Sequence, residues 1–481
     1  MQKKLLSGLF WVLLLNLLIK PFWILGIEVS VQNAVGADIY GAYFAIFNLA
    51  YIFNILLDIG VTNFNTRNIA QHPHLINKHL SGILGVKLLL FALYLVVTFT
   101  VGLLLGYCSR QFLLLAFLSL NQFLNSLILY LRSNFEGLLL FKWDSVISIL
   151  DRVVMILICG ALLWLPGHPT FRIEYFVYAQ TAAYLITALT ALIVLAGKVR
   201  LRLPRFDRLF TLAILKQSVP FALLVLLMAS YNRLDPVLLQ ILSPDGTGDH
   251  NAGIYAGAFR LLDALTMIAY LVSVPLLPIY AKLTATPDSE EQLRPITRLV
   301  TSLMTIFSVT AALALVHLDH PIMELLYTEH TDESAAVFHI LIFGIIPISF
   351  TYIFGTLLTA GGKLRQLNIL ALCTLLLNVA INILLIPRIG AVGSAWASLI
   401  AQSFMALTQL IVALRTYHLQ PSCGYILKIL LFTLCIIGNN LIMPQTVSMW
   451  VQLICIALLA ILVAVLLRLI DIQEIRKIVK L

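Results

Sequence analysis

Long apolar runs recur from end to end of this chain, each closed by a short polar connection, and this pattern constrains the fold more than any motif does. The runs lie near residues 5–28, 40–62, 80–106, 111–131, 145–165, 174–197, 212–242, 254–280, 296–317, 335–360, 366–387, 391–414, 424–442 and 446–468. A helix of roughly 20 apolar residues crosses a bilayer, because it bonds all its backbone groups internally where no water can. Fourteen such helices take up roughly 280 residues of the 481, which leaves no room for a separate water-soluble domain. Charged residues are only 11% and apolar ones 61%, whereas a soluble domain is about 25% charged. An ordinary soluble protein is thereby excluded. The net charge of +9 then belongs to membrane-flanking loops rather than to a nucleic-acid surface. The expected fold is an all-α integral membrane protein with about 14 transmembrane helices. The first run follows Met1, Gln2, Lys3 and Lys4 and continues past Pro21 to Gly26 without a small-x-small cleavage site. It reads as a first spanning helix and not as a cleaved signal.

Charge tests the count. With both termini cytoplasmic, 23 of the 31 Lys and Arg residues fall in the termini and alternate connections, and only Arg110, Arg172 and Arg388 fall on the opposite side. An excess of cations marks the cytoplasmic side, and one helix too many or too few would reverse the bias downstream of the error. The basic link from Lys198 to Lys216 divides the chain. An offset of 215 residues sets Pro21 on Pro236, Ile39 and Tyr40 on Ile254 and Tyr255, and Arg67 on Lys282. The expected organisation is a six-helix bundle over 1–197, a basic cytoplasmic linker over 198–216, and a second, pseudo-symmetric six-helix bundle over 217–415. Two additional transmembrane helices over 424–468 and a cytoplasmic tail over 469–481 complete it. Parallel repeats of this kind place a substrate site between the halves.

Ionisable residues inside the runs are the next constraint. Lys20, Glu28, Asp58, Lys87, Asp151, Arg152, Arg233, Asp235, Arg260 and Asp263 lie within or at the edges of spans. Each costs about 2.5–3.5 kcal/mol at the bilayer centre, so they must pair, line a wet cavity or reach an interface. Asn54, Asp58 and Thr62 share one face of the second run at helical spacing. Asn16 with Lys20, Asn121 with Asn125, Asn378 with Asn382, and Ser394, Ser398 and Gln402 form similar stripes. The Asn and Ser residues read mainly as glue between helices. Lys20, Arg233 and Arg260 read as cations of a functional cavity, where they would hold an anion, and phosphate suits Arg. Asp58, Asp235 and Asp263 are then their charge partners or carriers of a coupling proton. Arg260 and Asp263 are three residues apart and within pairing reach. Lys87, Asp151 and Arg152 stand between a cavity role and an interfacial one, and Glu28 with Asp38 is expected at the outer water. Pro21 and Pro236, each beside a charge, are hinge candidates because proline removes a helix hydrogen bond.

The six cysteines show no CxxC pairing and no zinc-like Cys/His spacing, and read as small buried apolar residues. No metal is expected. There is no GxxxxGK[ST] phosphate loop, so ATP-driven transport by this chain is not expected, and no HExxH or GxSxG occurs.

Four segments carry a family resemblance. Asn382 through Ala397, with Pro387, Gly390 and Gly393, resembles the signature joining helices 11 and 12 of bacterial polysaccharide flippases of the multidrug/oligosaccharidyl-lipid/polysaccharide exporter superfamily. Tyr40, Gly41 and Tyr43 with Asp58, Gly60 and Arg67 resemble that family's second helix. Arg233 to Asp235, Gly253 to Tyr255, and Arg260 resemble its seventh and eighth helices. Pro321 to Tyr327, followed by Ser334 and Ala335, resembles the loop before its tenth. The order matches across essentially the whole chain.

The resemblance implies two six-helix bundles and an alternating-access flippase in the bacterial inner membrane. It implies transfer of undecaprenyl-diphosphate-linked oligosaccharide from the cytoplasmic to the periplasmic leaflet for O-antigen, lipopolysaccharide or capsule synthesis. Lys20, Arg233 and Arg260 would then contact the diphosphate or acidic sugars. No cofactor is implied; coupling to H+ or Na+ stays open. Expected partners are the lipid-linked oligosaccharide, membrane lipid, a polysaccharide polymerase and a chain-length regulator, with no nucleic acid. The alternatives are a multidrug exporter of the same superfamily, which would favour an acidic cavity, and a membrane polysaccharide polymerase, which would favour a large outer loop. The longest outer loop here, Leu318 to Ser334, is short and acidic.

Overall fold

The computed structural model describes residues 19, 21–62, 65, 69, 76–138, 140–165, 170–197, 222–284, 289–419, 422–443 and 447–469. Among these residues every regular element is a helix. Eleven helices are long and apolar enough to span a membrane, and twelve when the bent pair Ala222–Arg233 and Asp235–Leu242 counts as one. Large apolar side chains stand exposed along them, for example Leu104 at 80% and Leu441 at 82%. A water-soluble surface does not carry such contiguous apolar faces; lipid covers them. The chain is a multi-pass membrane protein.

Residues up to Gly253 form one compact unit and residues from Ile254 a second. In the first, α1 (Val29–Val35) follows a π-helical stretch, Trp23–Glu28. Then come α2 (Ala37–Ile52), α3 (Ile76–Leu104), α4 (Ser109–Gly137), α5 (Phe141–Trp164) and α6 (Ile173–Ala196). Helices α7 (Ala222–Arg233) and α8 (Asp235–Leu242) meet at a 50° bend beside Leu234. Pro236 sits in the first turn of α8, where its missing N–H breaks no bond. The packing boundary therefore lies downstream of the basic 198–216 link, which is outside the described residues. Ile83, Val86, Tyr130, Phe135, Ala191 and Leu195 belong to one core shared by α3, α4 and α6.

The division falls inside α9 (Gly248–Thr284). The second unit continues with α10 (Ser289–His317), α11 (Asp319–Leu326), α12 (Thr331–Leu341), α13 (Ile345–Ala360), α14 (Leu364–Thr416), α15 (Cys423–Ile442) and α16 (Met449–Leu466). Helix α14 is two spans. Ile389 and Gly390 leave helical geometry within it, Gly390 at φ 54° and ψ −132°. Pro387 removes one backbone donor just before this break. A Cβ on Gly393 would stand 2.8 Å from the Leu385 carbonyl carbon and oxygen, so only glycine lets the two arms close. The segment from Pro387 to Gly393 is thus a tight helical hairpin. Helices α15 and α16 dock on α10 through Val309, Phe432, Ile436, Ile456 and Ala460. Most of the first expected span, including Asn16 and Lys20, lies outside the described residues.

Tyr40 is buried and stacks on Phe44 at 6.3 Å; 215 residues later Tyr255 is buried and stacks on Phe259 at 5.8 Å.

Two expectations fail. The second run is not one regular helix carrying Asn54, Asp58 and Thr62 on a single face. Phe53–Leu57 is a 3-10 helix, and a turn follows with Ile59 at φ 41° and Gly60 at φ 77°. A tighter helix of three residues per turn removes the four-residue alignment. The cysteines are all free, but only Cys159 is buried; Cys373, Cys435 and Cys455 are exposed on helices. The lipid-facing surface of a membrane helix is as apolar as its interior, so an apolar run does not imply burial.

Candidate functional site

In the first unit the described charges that the sequence marks within the spans fall into three groups, apart from the flanking pairs Arg110–Glu174 and Arg132–Asp144. The first surrounds the π-helical stretch Trp23–Glu28, which begins two residues after Pro21. A π turn brings i and i+5 together, and the Trp23 indole N–H donates to Glu28 Oε1 at 2.8 Å. Glu28 is half-buried here. Trp23 stacks flat on Phe176 at 5.7 Å, and the Arg152 guanidinium lies 5.5 Å from the Trp23 ring. Arg152 also meets Asp151 at 3.5 Å and the Tyr184 hydroxyl, with Glu28 and Tyr43 in its field. The sequence placed Arg152 and Asp151 together; it held no sign of Trp23 or Tyr184.

The second group is a buried ion pair. Lys87 is fully buried, and its Nζ donates to Asp58 Oδ1 at 2.6 Å and Ser126 Oγ at 2.7 Å. A third, longer bond at 3.3 Å reaches the Ser126 carbonyl, so all three ammonium donors are used. Asp58 also accepts from the Thr62 backbone N–H and hydroxyl, which caps the chain as it leaves the 3-10 turn. The broken helix and the charge are therefore one feature: the carboxylate serves backbone that the turn has released, and Lys87 neutralises it.

The third group lies at the α7–α8 bend. Arg233 is half-buried with its guanidinium 5.1 Å from the Tyr51 ring centroid, a cation–π contact. Asp235 is fully buried at the start of α8.

In the second unit Arg260 is 5% exposed, and its Nη1 donates to the Tyr327 hydroxyl at 2.6 Å. That hydroxyl in turn donates to the Gly257 carbonyl at 3.2 Å, and the Tyr327 ring lies 5.9 Å from the guanidinium. A Cβ on Gly257 would lie 3.1 Å from the Tyr327 ring. Tyr327 closes the segment beginning at Pro321, so its place beside Arg260 supplies the physical content of that motif. Asp263 is half-buried on the same helix as Arg260.

Two of the polar stripes join helices. Asn54 donates to Gln122 at 2.9 Å. Thr181 donates to Asn121 at 2.7 Å, and Gln180 donates to the Tyr43 hydroxyl at 3.0 Å. Asn382 donates to the Asn378 carbonyl at 3.0 Å, and Ser394, Ser398 and Gln402 are buried. Gly41 and Gly253 are a close-packing pair. A Cβ on Gly41 would overlap the Asp249 carbonyl, and one on Gly253 would overlap the Ala37 carbonyl.

A family model described as polysaccharide biosynthesis protein matches residues 5–284. No curated protein matches the sequence. Among solved structures the fold is similar to the lipid II flippase MurJ in an inward closed conformation. The identity is 15% and the TM-score 0.69, over 95% of this chain and 98% of that one. An inward-facing multidrug resistance MATE family transporter of the MOP superfamily matches at 13% identity and TM-score 0.63, over 85% of this chain and 94% of that one. A MOP superfamily transporter from Pyrococcus furiosus matches at 15% identity and TM-score 0.54, over 85% and 93%. At these identities the likeness establishes the fold: that of MurJ and the MATE transporters.

Proposed function

This chain belongs to the family of polysaccharide biosynthesis proteins, and from that premise we propose that it is a flippase for undecaprenyl-diphosphate-linked oligosaccharide. It acts by alternating access, carrying the glycan from the cytoplasmic to the periplasmic leaflet of the bacterial inner membrane, with both termini cytoplasmic. The observation that carries this reading is the state of the membrane-embedded arginines. Arg233 is held on Tyr51 and Arg260 on Tyr327. An aromatic partner orients a guanidinium, and a guanidinium held in place presents its fork to an anion in a fixed geometry. Phosphate oxygens accept the guanidinium fork in pairs. A bound diphosphate offsets the roughly 2.5–3.5 kcal/mol that each cation costs within the membrane. Lys20 is the third proposed contact.

Asp58 acts as the partner of Lys87, and Asp151 as that of Arg152. Asp235 and Asp263 are the acids proposed to carry a coupling ion, H+ or Na+. Pro21 and Pro236 flank the backbone irregularities that give the bundle its hinges. The protein makes and breaks no covalent bond and needs no cofactor; it hands its substrate to a polysaccharide polymerase and a chain-length regulator.

The test is deletion in the source bacterium followed by extraction of undecaprenyl-diphosphate-linked sugars. The expected result is accumulation of a complete oligosaccharide unit on the cytoplasmic side with loss of surface polysaccharide. The MATE likeness supports one rival, multidrug export. Unchanged surface glycan with raised sensitivity to cationic drugs would replace the flippase by that exporter.

A further inference from the structure

A cavity of about 320 Å³ lies within the second unit, at the end where α10 and α15 begin and α14 finishes. Its volume falls in the range of small-molecule sites, and its wall divides by chemistry. Arg294 and Arg298 stand at the mouth, one helical turn apart on α10. Arg415 and Lys428 add charge at the same end. Deeper in, Phe350, Phe354, Leu410 and Ile429 form an apolar trough. Ile426 lines the trough and is 47% exposed, so it opens on the lipid-facing side of α15.

Two details show a built site. The Arg298 guanidinium rests 5.2 Å from the Tyr425 ring, and the Tyr425 hydroxyl is fixed against Ser302 Oγ at 3.0 Å. The second detail is Thr301, one turn beyond Arg298 on the cavity wall. It is only 8% exposed, yet its hydroxyl has no hydrogen-bond partner. Thr356, Thr359, Thr374 and Thr408 of this unit bond back to the carbonyl four residues earlier, whereas Thr297, which also lines the cavity, and Thr305, Thr310 and Thr351 share the unpartnered state of Thr301. A buried hydroxyl without a partner is costly unless a ligand supplies one.

We propose that this cavity binds an anionic glycerophospholipid of the surrounding bilayer. Arg294 and Arg298 hold the phosphate, Thr301 donates to an ester oxygen, and an acyl chain lies along Phe350, Leu410 and Ile426. Charge complementarity selects the occupant. A cationic drug meets two arginines, a free phosphate gains nothing from the apolar trough, and a zwitterionic lipid brings its own ammonium to the arginines. Basic pockets between membrane helices hold anionic head groups in this way.

The full-length protein is purified in detergent and offered phosphatidylglycerol or phosphatidylcholine of the same acyl chains, with retained lipid counted by native mass spectrometry. The expected result is about tenfold preferential retention of phosphatidylglycerol, falling roughly fivefold with each of Arg294→Gln and Arg298→Gln. Arg298→Lys keeps most of the preference, and Thr301→Leu, which fills the trough, lowers retention of both lipids. Lipid retention does not depend on transport, so the result stands apart from the flippase reading. Equal retention of the two lipids, or an unchanged preference in the double Arg294→Gln/Arg298→Gln variant, overturns the proposal. So does displacement of phosphatidylglycerol by an equimolar polyprenyl diphosphate, which would make this a site for the lipid-linked substrate.

Discussion

Replacing Lys87 by Met tests whether the Lys87–Asp58 pair is structural. Methionine keeps the length and apolar stem of the side chain and removes the charge. It also removes three donated bonds, at 2.6 Å to Asp58 and at 2.7 and 3.3 Å to Ser126. Ser126 loses little, because its hydroxyl still donates to the Leu57 carbonyl at 3.2 Å. The cost falls on Asp58, left as a carboxylate without its counter-ion. Breaking a fully buried pair costs about 3–5 kcal/mol. The Asp58 side chain is 26% exposed, so water relieves part of this, and a destabilisation of about 2–3 kcal/mol is expected. Adding Asp58→Asn removes the orphaned charge and leaves an oxygen to accept from Thr62. The double variant therefore recovers about 2 kcal/mol of the loss, and this coupling is read from a double-mutant cycle. The assay is equilibrium unfolding of the purified protein in mixed micelles, with transport measured in parallel. If Asp58 serves only as partner, transport in the double variant follows the amount of folded protein. Strictly additive single effects would refute the pairing, and a stable double variant without transport would refute the purely structural role.

Four further outcomes follow from the geometry. Gly253→Val forces α2 away from the start of α9, because its side chain meets the Ala37 backbone; a loss of about 3 kcal/mol or more is expected. Gly82→Ala, at a helical position with nothing within 4 Å, should gain up to about 1 kcal/mol, so equal thermal midpoints for these two variants would refute the packing argument. Tyr327→Phe keeps the ring beside Arg260 but removes its charge-assisted hydrogen bond. Worth about 1.5–3 kcal/mol, that loss should lower glycan transport about tenfold or more in reconstituted vesicles, and undiminished transport would show that Arg260 needs no such positioning. Gly390→Ala imposes a side chain at φ 54° and ψ −132° and should cost about 1–3 kcal/mol, measured as folded yield after size-exclusion chromatography; an unchanged yield would mean that the hairpin relaxes.

The sequence by itself determined the membrane class, the helical character of most of the apolar runs, and the family. These were legible because hydrocarbon admits only helices or closed barrels, and because local rules govern the rest. Pro387, Gly390 and Gly393 mark a hairpin because proline lacks a donor, Gly390 takes a positive φ and Gly393 leaves room for a backbone. The intramembrane charges were legible as residues that need partners, since an ion in lipid is costly wherever it stands. Which partner each takes was decided by tertiary structure. Lys87 finds Asp58 across 29 residues, and Arg260 finds Tyr327 across 67. Trp23 reaches Glu28 only because the chain turns there as a π-helix, and the stripe through Asn54, Asp58 and Thr62 fails because the chain tightens into a 3-10 turn. Helical periodicity assumes a regular backbone and reports one face at a time. An ion pair, a cation–π contact or a cavity mouth needs two faces brought together, and only packing supplies the second.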